Sequence, residues 1–342
     1  MAKISEQQAK KILEENGYEV LDYLGEGSAS HAFKASRISK KTGAEKIVAA
    51  KVCCPQITSR TSLDNELKVA AELKEMKDKF KSSIAEAQRS GQTELVKKFQ
   101  DASKYVFKYL NVPKLKLQMK KSDSDGKDYE IAIFEAPLAD SSIVGFKIGG
   151  GTDNATVTIV PDPRAPGYNM RVISGIDIDY KELKRTIKSV LKGLKAIHEQ
   201  GMVHQDIAFR NILKKFDSNK NKYRYSITDF GTLKKGDPSR DLHDASCMFV
   251  GMWLISVGMD MSYVYRMGDT AMKYYLSSEF KSEGVTGVKI PEEFGGKPKK
   301  CFLTVYYPTD KDMELVNFCK KLYNGDFKSA EEALADSWLK KQ

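Results

Sequence analysis

Three side chains with hard oxygen ligands, set at short spacing, constrain this chain more than any other feature. Asp206 and Asn211 lie within residues 203–211 (V-H-Q-D-I-A-F-R-N), and Asp229 follows within residues 228–231 (T-D-F-G). Carboxylate and amide oxygens are the ligands that Mg²⁺ takes when it also bridges phosphate groups. A single Asp in a loop is usually only a turn residue, but the three together favour chemistry on a phosphate group.

Alternation of apolar and polar residues predicts a sheet in the first third of the chain. The alternating stretches are residues 18–24, 31–37, 46–53, 112–119 and 129–134. Residues 63–110, between the third and fourth stretches, carry apolar residues at helical spacing and are interrupted near Ser90-Gly91. A short amphipathic helix is predicted over residues 5–16. The pattern therefore predicts about five strands and one helical region.

The rest of the chain is predicted to be mostly helical. Residues 140–176 are rich in Gly, Pro, Asp and Asn, which is typical of an insertion with short strands such as 156–160. Residues 179–200 predict an amphipathic helix whose apolar face consists of Leu183, Ile187, Val190, Leu191, Leu194 and Ile197. The longest apolar run, residues 247–258, is shorter than the roughly 20 residues of a membrane-spanning helix. We therefore expect it to form a buried core helix.

Four motifs, taken jointly, resemble those of the protein-kinase superfamily. They are Gly25-x-Gly27-x-x-Ser30 between two predicted strands, V-A-A-K over residues 48–51, the loop with Asp206 and Asn211, and T-D-F-G. Residues 329–339 (S-A-E-E-A-L-A-D-S-W-L) are similar to the closing helices of that family. The resemblance implies an α+β fold with two lobes. An N-lobe over residues 1–136 would hold a small antiparallel sheet and a Lys-rich helical insertion at about 74–110. A mainly helical C-lobe over residues 137–342 would carry a second insertion at about 140–176.

The resemblance also implies a catalytic role for several side chains. Asp206 would orient the attacking hydroxyl and accept its proton, and Arg210 would steady the charge on the phosphoryl group. Asn211 and Asp229 would bind Mg²⁺, with Mn²⁺ as an alternative metal. By the same resemblance, Asp244 would anchor the catalytic loop from below.

A second set of residues would bind ATP, which the resemblance places between the lobes. Lys51 would contact the phosphates and Glu66 would hold it there, with Glu72 as the rival partner. Without the resemblance, Lys51 could equally be a surface lysine that extends to solvent. The implied nucleotide contacts are Gly25, Glu26, Gly27, Ser28, Ala49, Lys51, Glu135 and Pro137, and the last two belong to the connector between the lobes.

Several positions depart from the family pattern. Gln205 replaces the Arg that usually precedes the catalytic Asp and receives a phosphorylated activation loop. The segment between Gly231 and Asp244 is short and lacks an A-P-E motif. We therefore expect regulation other than activation-loop phosphorylation, with the Lys-rich insertion as its replacement.

The expected activity is ATP-dependent transfer to a protein hydroxyl. The stretch D-I-A-x-R-N over residues 206–211 resembles tyrosine kinases, but Ser/Thr kinases are the commoner class, and we expect Ser/Thr specificity. One alternative is a small-molecule kinase of the aminoglycoside or choline phosphotransferase type, because residues 236–242 match its G-D-P-x-x-D-L pattern. Another is a pseudokinase that binds nucleotide without transfer.

Charge and cysteine content bear on compartment and partners. The chain has a formal net charge of +10, which fits solvated Lys-rich helix faces or a surface for an acidic or polyphosphate activator. No regular basic-aromatic stripe indicates specific nucleic-acid binding. The odd count of 5 cysteines, without a C-x-x-C pair, favours free thiols in a reducing compartment. We therefore expect a soluble, non-secreted, cytoplasmic protein without a transmembrane segment, and the sequence leaves action inside a host cell open.

Overall fold

The computed structural model describes residues 4–27, 30–39, 42–54, 60–122, 128–143, 156–161, 169–174, 178–257, 303–306 and 309–341. In chain order, the helices are α1 (Glu6–Glu15), α2 (Arg60–Arg89), α3 (Thr93–Tyr109), α4 (Tyr180–His198), α5 (Ser239–Ser256), α6 (Asp310–Asn324), α7 (Ala330–Ala335) and α8 (Ser337–Lys340). The strands are β1 (Glu19–Gly27), β2 (Ser30–Ile38), β3 (Glu45–Cys53), β4 (Lys114–Ser122), β5 (Asp128–Pro137), β6 (Ser141–Ser142), β7 (Thr156–Pro161), β8 (Asn169–Ser174), β9 (Met202–Val203), β10 (Ile212–Asp217), β11 (Lys222–Ile227), β12 (Lys234–Lys235) and β13 (Leu303–Tyr306).

The chain divides into two compact units. The first unit comprises Met1–Ser142 and Asn211–Lys235, and the second comprises Ile143–Arg210 and Gly236–Gln342. This division reflects the packing within each unit, whereas the boundary expected between residues 136 and 137 came from the resemblance of that segment to the connector of the two lobes. That boundary remains a prediction, and each unit is described below by itself.

A five-stranded antiparallel sheet forms the centre of the first unit. Its strand order is β1-β2-β3-β5-β4, and every neighbouring pair is antiparallel. The five predicted strands are thereby confirmed, since each alternating stretch falls within one strand or overlaps it. The pairing of β3 with β5 aligns Lys51 with Phe134.

The two faces of this sheet are covered by different helices. Successive strand residues point to opposite faces, and Val48, Ala50 and Val52 form a core cluster with α1 residues Ala9, Ile12 and Leu13. Cys53, Ala132 and Phe134 lie on the other face, where Leu67 and Ala70 of α2 pack against them. Both helices thus bury an apolar stripe against the sheet and fix its position.

The helical region between β3 and β4 is confirmed as two helices. The helix α2 ends at Arg89, and Gly91 has a left-handed φ of 71° that breaks the helix before α3 begins at Thr93. Beyond α3, Leu110 forms a bridge to Ile227 of β11, and the Asn111 amide donates to the Ile227 carbonyl at 2.7 Å. The insertion is therefore attached to the strand that precedes Asp229.

A second sheet of the first unit carries two of the predicted site residues at one end. Its strand order is β11-β10-β6, and β10 and β11 form a hairpin that pairs Ile212 with Ile227. Asn211 lies directly before this hairpin and Asp229 directly after Thr228. The hairpin therefore brings together two residues that are distant in sequence.

Helices predominate in the second unit. The predicted amphipathic helix is confirmed as α4, in which Asp179 caps the first turn by accepting from the Glu182 amide at 2.9 Å. All six predicted apolar residues of α4 are buried. The apolar run after residue 247 lies in α5, whose Phe249, Trp253 and Ile255 are also buried.

The described residues 156–161 and 169–174 each form a strand, whereas the sequence predicted only the first of them. The strand predicted over residues 156–160 is β7, and it pairs antiparallel with β8. β8 in turn pairs in parallel with β13, much later in the chain. Residues 144–155, 162–168 and 175–177 of this predicted insertion lie outside the described residues.

The fold class is α+β, with an antiparallel sheet in the N-terminal region and helices that predominate later, as predicted. Within the residues that the structure describes, none of the helices combines the length and the apolar character needed to cross a membrane. None of the cysteines among the described residues forms a disulfide bond, and Cys301 lies outside the described residues.

Candidate active site

Lys51 and Asp229 meet within the first unit. The Lys51 Nζ lies 3.6 Å from the Asp229 Oδ1, and the two side chains are 29% and 46% exposed. Lys51 is held by the interior strand β3, between β2 and β5. An accessible cation beside an accessible carboxylate can serve one phosphate ligand, because the lysine binds its oxygens and the carboxylate binds the metal.

Asp229 adopts a backbone conformation that is unusual for its residue type. Its φ is 61° and its ψ is 70°, in the left-handed region. Non-glycine residues in this region cost of order 1 to 3 kcal/mol and persist only where the surroundings hold them. Here β11 holds the chain on one side, and the 3-10 turn Phe230–Thr232, with Phe230 buried, holds it on the other.

Asn211 lies next to the same segment. Its carbonyl accepts a hydrogen bond from the Thr228 amide at 2.9 Å, and its residue is only 3% exposed. One amide and one carboxylate are a suitable donor set for Mg²⁺, which keeps several waters and completes its octahedron with substrate phosphates. Across the described part of the chain, no group of three or more His, Cys, Asp or Glu side chains forms a metal cage.

The glycine hairpin is formed by the end of β1 and the start of β2. Gly27 pairs with Ser30 and Glu26 with His31. Gly25 has a φ of 141°, a conformation that side-chain-bearing residues rarely adopt, although its surroundings leave open space. Ser28 lies outside the described residues.

Leu24, directly before Gly25, is a residue that the motifs did not indicate. Its side chain is 48% exposed. A large apolar side chain beside a glycine hairpin, with the half-buried Ala32 and Ala49 on neighbouring strands, is suited to contact a flat apolar ring. The signal in the sequence is an apolar residue at the end of an alternating strand, immediately before the glycines.

Glu135 uses its side chain inside the sheet. It is 3% exposed, and its carboxylate accepts from the Tyr18 hydroxyl at 2.7 Å and from the Arg37 Nη2 at 3.0 Å. The Lys116 Nζ lies 3.2 Å away. Burial opposes ionisation, but the hydrogen bonds from Arg37, Tyr18 and Lys116 outweigh it and lower the pKa of Glu135.

Both residues of the predicted connector, Glu135 and Pro137, therefore belong to a strand. β5 extends through Pro137, which pairs with Val48, and the Pro137 carbonyl accepts from the Asn111 Nδ2 at 3.3 Å. The side chain of Glu135 is occupied by its three partners. The prediction that nucleotide contacts come from the backbone here stays a prediction.

Glu66 lies in α2, and its side chain is outside the described residues. The helix α2 covers one face of the sheet through Leu67 and Ala70, its neighbours in sequence. The predicted ion pair between Glu66 and Lys51 therefore stays a prediction.

The loop with Asp206 belongs to the second unit. Asp206 is paired with Arg210, whose Nη2 lies 2.6 Å from Oδ1 and 2.8 Å from Oδ2. The Asp206 side chain is 31% exposed and the Arg210 side chain 60%. Arg210 thus contacts the predicted catalytic carboxylate directly, and this pairing keeps the carboxylate oriented.

Asp241 anchors this loop from below. It is fully buried, and it accepts from the backbone amides of His204 and Gln205 at 2.7 Å each and from the His198 Nε2 at 3.0 Å. Burial raises the pKa of Asp241, but the hydrogen bonds from His198 and the two amides outweigh it and leave the pKa below its ordinary value. Gln205, whose amide is held in this way, has a left-handed φ of 65°.

This anchor was expected to be Asp244, and that expectation was wrong. Asp244 is 29% exposed and its Oδ1 lies 3.6 Å from the His243 Nδ1. Burial raises the pKa of Asp244, whereas the pKa of Asp241 is lowered because its hydrogen bonds outweigh its burial. Asp241 shares the buried face of α5 with Ala245 and Met248, and this burial, which no motif in the sequence indicates, distinguishes it from Asp244.

Comparison with known proteins finds a kinase domain in part of the chain. The family model of the protein kinase domain matches residues 87–251, a little under half of the chain. The match includes Glu135, Asp206, Asn211, Asp229 and Asp241, and it begins after Lys51.

A curated relative matches a smaller part. The Dictyostelium discoideum protein named "Probable serine/threonine-protein kinase fnkB" is 35% identical over 77 residues, which are 22% of this chain. Those residues span 14% of the length of that relative.

Proposed function

Since the chain belongs to the protein-kinase superfamily, we propose that it is an ATP- and Mg²⁺-dependent protein kinase that phosphorylates serine or threonine. One observation carries the proposal. The Lys51 Nζ lies 3.6 Å from the Asp229 Oδ1, although one residue lies in β3 and the other follows β11. A phosphate-binding lysine beside a metal-binding carboxylate is the arrangement that phosphoryl transfer from a nucleotide requires.

In the proposed mechanism, Asp206 orients the substrate hydroxyl and accepts its proton as the oxygen attacks the γ-phosphorus. The bond from the γ-phosphorus to the bridging oxygen breaks, and ADP leaves with the electron pair. Lys51 binds the phosphate oxygens, and Asn211 and Asp229 would hold Mg²⁺. When bound by these two residues, Mg²⁺ would neutralise developing negative charge. Arg210 keeps the Asp206 carboxylate oriented.

The test is transfer of label from γ-labelled ATP to a mixture of proteins. We expect wild type to label protein and Asp206→Ala to lose labelling, with Asp326→Ala as a matched control on an exposed carboxylate of the same unit. Equal labelling by wild type and Asp206→Ala would contradict the mechanism and favour a pseudokinase.

Specificity for serine or threonine is proposed because Ser/Thr kinases are the commoner class and because the relative is named as one. Phosphoamino-acid analysis of the labelled protein tests it. Phosphotyrosine alone would contradict the proposal and leave the kinase activity itself intact.

We also propose control other than by activation-loop phosphorylation. Gln205 carries no charge that could receive a phosphate group. The segment between Gly231 and the start of α5 at Ser239 is short. The helix α2 contacts the turn Phe230–Thr232, and α3 contacts β11. The helix α3 belongs to the insertion, which is therefore suited to replace that control through its contact with the strand that precedes Asp229.

Deletion of residues 78–106 tests this role. We expect a folded chain with altered transfer, since the contacts of α3 with β11 are lost. A folded deletion variant with unchanged activity would remove the hypothesis, and circular dichroism would verify folding.

A second candidate is phosphorylation of a small-molecule alcohol or amine. It is favoured by the G-D-P-x-x-D-L stretch, whose Asp241 binds the loop that carries Asp206. ATP consumption with a panel of small alcohols and amines, without any labelling of protein, would support this candidate over a protein kinase.

A further inference from the structure

Four lysines of the second unit lie together on one surface. Lys184 and Lys188 are one turn apart on α4 and share a face, Lys311 lies in the first turn of α6, and Lys341 follows α8. The Lys184 Nζ donates to the Lys341 carbonyl at 3.3 Å. These four residues are called the lysine cluster below.

Aromatic rings order two members of the lysine cluster. The Lys184 Nζ lies 5.0 Å from the centre of the Trp338 ring, and the Lys311 Nζ lies 5.9 Å from that of Tyr180. Trp338 is buried, and its ring centre lies 4.9 Å from that of Phe318. Ammonium groups that are ordered in advance lose less entropy when an anion binds.

One of these rings is fixed by a buried carboxylate. Asp312 is fully buried and accepts a hydrogen bond from the Tyr180 hydroxyl. It also accepts from the Trp253 Nε1 of α5 at 2.7 Å. The lysine cluster therefore lies on a fixed part of the second unit.

Positive charge in the lysine cluster exceeds the negative charge beside it. Glu314 pairs with Lys341 at 3.0 Å, while Lys188 and Lys311 have no ion pair among the described residues. Burial lowers the pKa of Lys184 from its ordinary value, and repulsion from Lys188, Lys341 and Lys311 lowers it further against the attraction of Glu314. Like charges gathered on one surface favour an anion that carries several charges.

We propose that the lysine cluster is a binding site for a ligand with two or more clustered phosphates. Lysine ammonium groups bind phosphate as point charges, and a group with a single negative charge would leave most of the excess unmatched. A soluble polyphosphate and a phosphorylated lipid headgroup share this chemistry. The lysine cluster shares no residue with the proposed nucleotide site, and binding to it does not require phosphoryl transfer.

Calorimetric titration of the full chain with inorganic tripolyphosphate at about 0.15 M salt tests the site. Lys188→Gln with Lys311→Gln should weaken binding about tenfold, as expected for two lost charge-assisted contacts. The control is Lys46→Gln with Lys222→Gln, which removes the same charge from exposed lysines of the first unit and should leave the Kd unchanged.

Tripolyphosphate could also occupy the proposed nucleotide site, and Lys51→Met separates the two. Binding that survives Lys51→Met and fails in the cluster variant supports the proposal, whatever the transfer assay shows. Binding that survives in the cluster variant and fails in Lys51→Met overturns it. Equal weakening in the cluster and control variants, or no binding at this salt concentration, overturns it as well.

Vesicles distinguish the two ligand sources. The comparison is sedimentation with phosphatidylcholine vesicles that contain or lack phosphatidylinositol bisphosphate. Sedimentation that depends on this lipid and on the lysine cluster supports a headgroup ligand. Tripolyphosphate binding without such sedimentation supports a soluble ligand.

Discussion

At the scale of single residues, Asp241 shows how one carboxylate determines the position of a loop. It holds two consecutive amides, of His204 and Gln205, directly before Asp206. Gln205 has a left-handed φ that would relax without this support. A fully buried acceptor that satisfies two amides and His198 thus holds the proposed catalytic residue in place.

We expect Asp241→Asn to lower the free energy of unfolding by about 2 kcal/mol, because it replaces a charged acceptor of three hydrogen bonds. Denaturant titration measures this, with Asp310→Asn as an exposed control. The folded-state pKa of Asp241 is below its ordinary value, so its stabilisation is present above about pH 4 and is lost as pH falls through the folded-state pKa. Wild type should therefore lose more stability than Asp241→Asn on acidification below about pH 4, and equal losses would contradict this account.

Asp229 and Asp206 should differ in what they do for nucleotide binding. We expect Asp229→Ala to lose most of the affinity that Mg²⁺ adds for ATP, since it removes a proposed metal ligand. Asp206→Ala should keep that affinity and lose only transfer. Nucleotide titrations with and without Mg²⁺ check the difference, and the same Mg²⁺ effect in both variants would contradict the assigned roles.

At the scale of elements, β5 is tied to its neighbours by charge as well as by the strand ladder. Glu135 of β5 binds Arg37 of β2 and Lys116 of β4. It also binds Tyr18, which lies between α1 and β1. Removing only one partner from a buried group of a carboxylate and two cations destabilises the fold, because the remaining charges are left without compensation. Glu135 thus joins three strands and the helix that covers them.

We expect Glu135→Gln to lower the free energy of unfolding by about 2 kcal/mol, since Arg37 and Lys116 remain partly solvated and the full cost of a buried pair does not apply. Glu45→Gln, at an exposed position of β3, is the control and should change little. Denaturant titration of both variants measures the effect. A loss of stability in Glu45→Gln as large as in Glu135→Gln would contradict this account.

At the scale of the whole chain, the second unit depends on a junction of three helices. Asp312 of α6 accepts from Tyr180 of α4, from Trp253 of α5 and from the Thr309 amide at 2.7 Å. Asp312 is buried, so removal of its carboxylate would leave each of these donors without an acceptor at a position that water does not reach.

We expect Asp312→Ala to destabilise the chain by about 3 kcal/mol, because it takes the acceptor from several donors at a buried position. Asp312→Asn should cost less, since it keeps one acceptor oxygen. Thermal unfolding followed by near-ultraviolet circular dichroism, to which Trp253 and Trp338 both contribute, measures the effect. Unfolding of Asp312→Ala at the wild-type temperature would contradict this account.

The sequence by itself determined the local elements and the proposed chemistry. Periodicity in five stretches and in α4 predicted strands and a helix, because burial of one face requires that period. The spacing of Asp206, Asn211 and Asp229 predicted a phosphate-directed site, because their carboxylate and amide oxygens suit Mg²⁺. Only the tertiary structure decided which carboxylate supports that site and which strands pair over long distances. Asp241 and Asp244 are three residues apart and chemically equal, and only packing buries the first completely. β8 and β13 likewise pair across a long stretch of chain, and no local pattern encodes such a contact.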